Sequence, residues 1–230
     1  MSQVLKLREL TELHRGVDKH WIWGNSDKFS LSCDYLRKID FCIQDLNREI
    51  PNLDIDITMK EVVYVIVLVD WICEAVDSLH KILRKEVIDF LNIRNFDEIE
   101  QAKQFFKAIR SFVVAHPLNT NRHEKYGMDG DLICVDIRSR NTMATKCCLR
   151  NSDWMFLKLD GLHENAQDKE SDFVLFVYSQ KIDQMRYFKY IRADFSDLYY
   201  VAQLQIERLY TLDSQLSKLT KKKVGYCDKT

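Results

Sequence analysis

Thr58–Leu91 reads TMKEVVYVIVLVDWICEAVDSLHKILRKEVIDFL, with no glycine and no proline. Val62 to Val69 is an apolar, largely β-branched run that stops at Asp70, and taken alone it fits a buried strand. It is too short to span a bilayer. Its continuation, Ile72, Val76, Leu79, Leu83, Val87 and Leu91, keeps spacings of three and four, the period of a helix face. No turn residue separates the two parts, so the whole reads as one long, mostly buried helix. Thr58, with Glu61 three residues on, has the pattern of a capping box, in which a hydroxyl and a carboxylate satisfy the first backbone N–H groups.

Working outward, Val4, Leu7, Leu10 and Leu13 recur at three-residue spacing, a helical segment for Gly16 to end. Trp21, Ile22 and Trp23 precede Gly24-Asn25-Ser26-Asp27, a loop anchored by two indoles. Ser30 or Ser32 is a candidate cap for a helix running to Glu49, with Leu36, Ile39, Phe41, Ile43 and Leu46 as its face. On the other side, Asp97 opens a helix through Ile99, Ala102, Phe105, Phe106, Ile109, Phe112 and Val113 to His116, where Pro117 stops it. Leu132–Ile137, Trp154–Leu159 and Phe173–Tyr178 are short, β-rich and bounded by polar turns, with Met143–Leu149 a candidate fourth strand. Beyond Ile182 the helical period returns, and Leu198, Val201, Ala202, Leu209, Leu212, Leu216 and Leu219 share one stripe. Lys221-Lys222-Lys223 then suits the negative end of that helix. The expected fold class is α+β, predominantly α: a helical bundle with a small antiparallel sheet inserted between the central and C-terminal helices. Residues 1–230 form one domain in this reading, with a helical core over 1–123 and 182–220 and a sheet region over 131–180.

Composition narrows the function by exclusion. The 230 residues carry a net charge of −1, so nothing global points to a nucleic-acid coat or a membrane-surface protein. Two prolines and six glycines suit long helices rather than a many-turned all-β chain. The seven cysteines are odd in number and form no framework, and Met1 to Arg15 lacks the apolar core of a secretory leader. Free thiols in a reducing cytoplasm are expected. No C-x2-C or H-x3-H pair occurs, nor a Gly-rich phosphate loop, a nucleophile elbow or a dinucleotide fingerprint. The expectation is therefore no metal, no cofactor (a dinucleotide included) and no membrane partner.

The chemistry-bearing stretch is Arg110-Ser111-Phe112-Val113-Val114-Ala115-His116, followed by Pro117. It sets an always-charged guanidinium about 9 Å along a helix from an imidazole that titrates near neutrality. That pairing suits work on a phosphodiester. With its all-apolar filler, helix-end position and proline stop, the stretch resembles the HEPN superfamily, helical domains with an Arg-x(4–6)-His motif at the end of a core helix. The resemblance covers roughly residues 59–123, and the position after the arginine, usually polar in the family, is Ser111. It implies metal-independent RNA cleavage of toxin or defence type, often across a homodimer, with Arg110 and His116 catalytic. RNA or a nucleotide is then the expected partner.

Asp70, Glu74 and Asp77 form a polar stripe at i, i+4 and i+7 on the long helix. Asp70 or Glu74 would orient Arg110 in the HEPN reading; a solvated face is the plain reading, and it is preferred for Asp77. Asn119, Asn121, Arg122 and His123 follow the motif and offer hydrogen-bonding groups to a phosphate or base edge, though such residues are also ordinary turn formers. Tyr187, Phe188, Tyr190, Phe195, Tyr199 and Tyr200, interleaved with Lys181, Arg186, Lys189 and Arg192, read as an amphipathic helix start in preference to a base-stacking surface. Two functions follow: a metal-independent endoribonuclease, or a non-catalytic nucleotide-, RNA- or protein-binding module of the same fold.

Overall fold

The structure is a computed structural model and describes residues 4–13, 16–17, 26–54, 57–83, 96–115, 132–136, 172–179 and 187–227. It is predominantly helical, with helices α1 (Ser26–Glu49), α2 (Met59–Leu83), α3 (Phe96–Arg110) and α4 (Phe195–Cys227). Short 3-10 turns occupy Leu10–Glu12 and Ile50–Asp54, and a π-helical turn, Ser111–Ala115, prolongs α3. Strands β1 (Leu132–Asp136), β2 (Phe173–Ser179) and β3 (Tyr187–Ala193) pair antiparallel in that order, with Cys134 opposite Phe176 and Phe176 opposite Tyr190. Among the described residues no helix is long and apolar enough to cross a membrane. The chain divides into two compact units, one of Met1–Leu5, Ile50–Val67 and Glu100–Tyr199, the other of Lys6–Glu49, Leu68–Ile99 and Tyr200–Thr230.

In the first unit the start of α2 is a capping box. The backbone N–H of Thr58 donates to Glu61 Oε2 at 2.9 Å, and the Thr58 hydroxyl donates to the same oxygen. That hydroxyl also accepts from the Lys60 N–H at 3.2 Å, so first-turn donors with no partner inside the helix are satisfied. Val62, Val65 and Ile66 are then fully buried, at helical spacing. The β-branched run is a helix because that spacing lays one face on the core. The start of α4 is fixed by two aspartates. The Asp172 N–H donates to Asp194 Oδ1 at 3.2 Å, and the Phe195 N–H donates to Asp172 Oδ2 at 2.8 Å. The Asp194 carbonyl accepts from Asp197 and Leu198, opening the helix, and the Phe173 and Phe195 rings meet with centroids 5.8 Å apart. Tyr187–Ala193 is a strand where the sequence reading extends the helical core back to residue 182. Its sequence, three aromatic residues and Ile191, has strand propensity, and pairing along all of β2 supplies the backbone partners a helix would otherwise provide. Trp154–Leu159 and Met143–Leu149 lie outside the described residues, as do Trp21–Trp23.

In the second unit, α1 buries Ile39, Cys42, Ile43 and Leu46, whereas Phe41 is exposed. Phe41 follows Ile39 by two residues, which turns it about 200° around a 3.6-residue helix, away from the core it was assigned to. The helix also begins at Ser26, ahead of both proposed serine caps. Ser32 is buried in its interior, its hydroxyl donating back to the Lys28 carbonyl at 2.7 Å, a bond that lets serine sit inside a helix. Lys38 of α1 places its ammonium 3.2 Å from the centre of the Trp71 ring of α2. The α4 stripe is buried from Val201 and Ala202 through Leu209 and Leu212 to Leu216. The expected helix over Val4–Leu13 is absent apart from the Leu10–Glu12 turn. Its backbone groups bond instead to side chains distant in sequence, which no local period reveals. Cys33, Cys42 and Cys73 form no disulfide among the described residues, and burial pushes the Cys42 thiol up to about 11.

Gly16 ends no helix; it allows a close approach. A Cβ there would lie 2.6 Å from the Asp213 carbonyl oxygen and 2.8 Å from the Ser217 nitrogen, both α4 backbone atoms that cannot swing aside. Gly16→Ala is expected to destabilise the protein by about 1–3 kcal/mol through overpacking, read as a lowered urea midpoint with unchanged slope. The hydrogen bond from the Thr58 hydroxyl holds the Glu61 carboxyl below the ordinary carboxylate range. A carboxyl lowered in the folded state adds stability that is present above its unfolded value, about 4.3, and fades as pH falls through the folded value. Thr58→Ala is therefore expected to cost about 1 kcal/mol near neutrality and to let Glu61 titrate closer to that unfolded value. An NMR titration of Glu61 in both proteins checks this, and coincident curves would refute the coupling.

Candidate functional site

Helix α3 starts with Asp97 and Glu98 at its positive end and carries Lys107 and Arg110 in its last turn, the arrangement its dipole favours. Ala102, Phe105, Phe106, Ala108 and Ile109 anchor it in the first unit. Lys103 is also buried, with its ammonium 4.0 Å from Glu100. Arg110 is the final α-helical residue and is half-buried.

The apolar filler of the motif is a π turn rather than a continuation of the α-helix. Ser111, Phe112 and Val113 are buried, and Phe112 is sealed completely. Val114 and Ala115 are exposed, so the backbone reaches the surface within five residues of Arg110. A π turn widens the i→i+4 ladder to i→i+5 and is found often at functional positions. Strand β1 lies against this turn. The motif histidine, His116, lies outside the described residues, together with Asn119, Asn121, Arg122 and His123.

Asp70 and Glu74 sit one turn apart on α2, Asp70 half-buried and Glu74 exposed. Both belong to the second unit, whereas Arg110 and Ser111 belong to the first. Of the aromatic residues weighed as a stacking surface, Phe195 and Tyr199 are buried. Tyr200 is exposed and its hydroxyl donates to Glu98. Burial, followed by that contact, pushes the Tyr200 phenol up to about 12. Among the described residues no group of three or more His, Cys, Asp or Glu side chains is placed to hold a metal ion.

The third member of the acidic stripe corrects the sequence reading. Asp77 is not solvated. It accepts from Arg208 Nη1 of α4 at 2.8 Å, with side-chain exposures of 13% for Asp77 and 4% for Arg208, so the pair is desolvated. Arg208 Nη2 meets Nδ1 of His80, one turn beyond Asp77. A guanidinium only donates, so that ring nitrogen accepts and a neutral His80 carries its proton on Nε2. Gln205 Oε1 stands 3.4 Å from Arg208 Nη1, while Gln205 Nε2 and Arg208 Nε are buried with no hydrogen-bond partner among the described residues. A buried carboxylate on an apolar helix does need a cation, but the cation for Asp77 comes from α4. A signal for it exists in the sequence: Gln205 and Arg208 interrupt the stripe Val201, Ala202, Leu209, Leu212 at positions that helical spacing places on the core side.

Removing one partner leaves a buried charge uncompensated. Asp77→Ala is expected to lose about 3–5 kcal/mol, whereas the double change Asp77→Leu with Arg208→Met is expected to retain most of the stability. Urea denaturation of the two variants checks this, and equal losses would show that the charges are not desolvated as a pair.

Comparison of the chain with protein-family models, with curated proteins and with solved structures returns no match.

Proposed function

We propose that the protein is an HEPN-like, metal-independent endoribonuclease in which Arg110 and His116 carry the reaction and the β-rich region is an insertion into the helical fold. The observation that carries this reading is the position of Arg110: half-buried, last in α3, directly before a π turn that brings the chain to the surface. A guanidinium so held by a helix end is preorganised, and it offers a planar fork to two phosphate oxygens. His116 takes the proton from a ribose 2′-hydroxyl or returns one to the departing 5′-oxygen. Attack of the 2′-oxygen on phosphorus breaks the P–O5′ bond and leaves a cyclic phosphate and a free 5′-hydroxyl. Arg110 stabilises the charge that builds on the equatorial oxygens. Ser111 supports the arginine from the buried side, and Asn119, Asn121, Arg122 and His123 contact RNA. A homodimer completes the site.

Purified protein incubated with single-stranded RNA in the presence of EDTA is expected to cleave it. Arg110→Ala and His116→Ala are each expected to slow cleavage by about 10²–10⁴-fold with unchanged melting temperature. Equal cleavage by all three proteins removes both roles. RNA binding without turnover in the parent protein selects the non-catalytic binding module instead.

A further inference from the structure

The segment Leu7–Glu9 is held the way a peptide ligand is held. The Leu7 N–H donates to Asn47 Oδ1 at 2.7 Å, and Asn47 Nδ2 donates to the Leu7 carbonyl at 3.0 Å. The Arg8 N–H donates to Gln203 Oε1 at 3.0 Å, and the Tyr210 hydroxyl donates to the Glu9 carbonyl at 2.5 Å. Two side-chain amides and a phenol, from α1 and α4, thus read four backbone groups of three successive residues. The backbone at Glu9 is extended, with φ −77° and ψ 157°. Among the described residues the one backbone–backbone bond within Val4–Leu13 is the Leu13 to Leu10 turn. Its order therefore comes from the surface it lies on.

That surface also reads two side chains. Leu7 is 3% exposed, whereas Leu5, two residues earlier, is 72% exposed. The Arg8 guanidinium stacks 3.5 Å from the centre of the Tyr210 ring and reaches Glu207 at 3.4 Å. Gln203 Nε2 donates to Glu207 Oε1 at 2.7 Å, which fixes the amide with its oxygen toward the Arg8 N–H. Glu12 of the same segment completes the cage around Arg8 at 2.7 Å. Backbone reading combined with an apolar subsite and a cation subsite is how extended peptides are recognised.

We propose that the surface made by Asn47 of α1 and by Gln203, Glu207 and Tyr210 of α4 is a docking site for an extended partner peptide carrying an apolar residue followed by arginine, and that Leu7-Arg8 occupies it in cis. The resident segment acts as a competitor at an effective concentration on the order of millimolar. An external peptide binds strongly only when the resident is released. This inference is independent of the ribonuclease reading, since none of its residues belongs to the Arg110 motif.

The test uses the full chain with the resident disabled, Leu7→Asp with Arg8→Glu, and a fluorescein-labelled peptide spanning Gln3–Leu13 as probe. Anisotropy titrations are expected to show at least about tenfold tighter binding to this variant than to the parent. Adding Asn47→Ala and Gln203→Ala to the variant is expected to abolish binding, as is placing Asp and Glu at the Leu and Arg positions of the peptide. Failure of the peptide to bind a variant that keeps its circular dichroism overturns the proposal, as does binding that ignores Asn47 and Gln203. Should the variant not fold, hydrogen exchange on the parent decides. Leu7 and Arg8 amides are expected to open well before those of α4, and exchange only through global unfolding overturns the proposal. A concentration-dependent dimer that protects the same amides overturns it in favour of a second copy of the chain.

Discussion

A carboxylate and a guanidinium shut away from water between two helices set the terms for the second unit. Asp77 on α2 and Arg208 on α4 are flanked by fully buried side chains, Val76 and Leu79 on one helix and Leu209 and Leu212 on the other. An apolar face alone lets two helices slide by a turn at modest cost. A desolvated ion pair does not, because any other register leaves a charge in hydrocarbon. His80 and Gln205, each one turn along its own helix, extend the polar patch and narrow the register further. The pair's contribution is therefore to specificity of packing more than to net stability. Two buried donors beside it, Gln205 Nε2 and Arg208 Nε, have no partner among the described residues, which is the sign of a polar network inserted into a core that would otherwise be aliphatic.

How much of this was legible in the sequence follows from how far each cause lies along the chain. The Thr58–Glu61 box is readable because all its atoms belong to four consecutive residues. The α2 and α4 stripes are readable because burial of a helix face is periodic. Phe41 is apolar like its neighbours, and only its angular position two residues after Ile39 separates it from the buried face. Serine has two uses in helices, capping and back-bonding, and the local sequence around Ser32 does not separate them. Val4–Leu13 and Tyr187–Ala193 share a different cause. Each has some helical spacing, and in each the backbone partners come from elsewhere: Asn47, Gln203 and Tyr210 for the first, β2 for the second. Asp77 was read as solvated because its partner stands 131 residues away.

The candidate site shows the same division. That a helix opens near Asp97 and carries Arg110 could be read from its apolar period, but the run expected to reach His116 as one helix leaves the α form at Arg110. That the apolar filler adopts a π turn, burying Phe112 and exposing Val114, could not, because the choice between i→i+4 and i→i+5 closure is made by what packs on the turn. Strand β1, separated from it in sequence, is one such neighbour. Asp70 and Glu74 divide similarly: their common face was evident, while the half-buried state of Asp70 and the exposure of Glu74 depend on the tertiary surroundings.

The contacts of Leu7–Glu9 have a consequence for how the protein is made. Arg8 bonds to a residue 195 positions later, and Glu9 to one 201 positions later. A ribosome releases the early strap long before it has polymerised the helix that receives it. The strap must wait, solvated and unstructured by its own resources, until some two hundred further residues have been added. Closure of so large a loop is entropically late, and topologies rich in such distant pairings fold slowly. This part of the molecule is therefore completed only after α4 has been made, and until then nascent chains carry the strap with its receiving surface still absent.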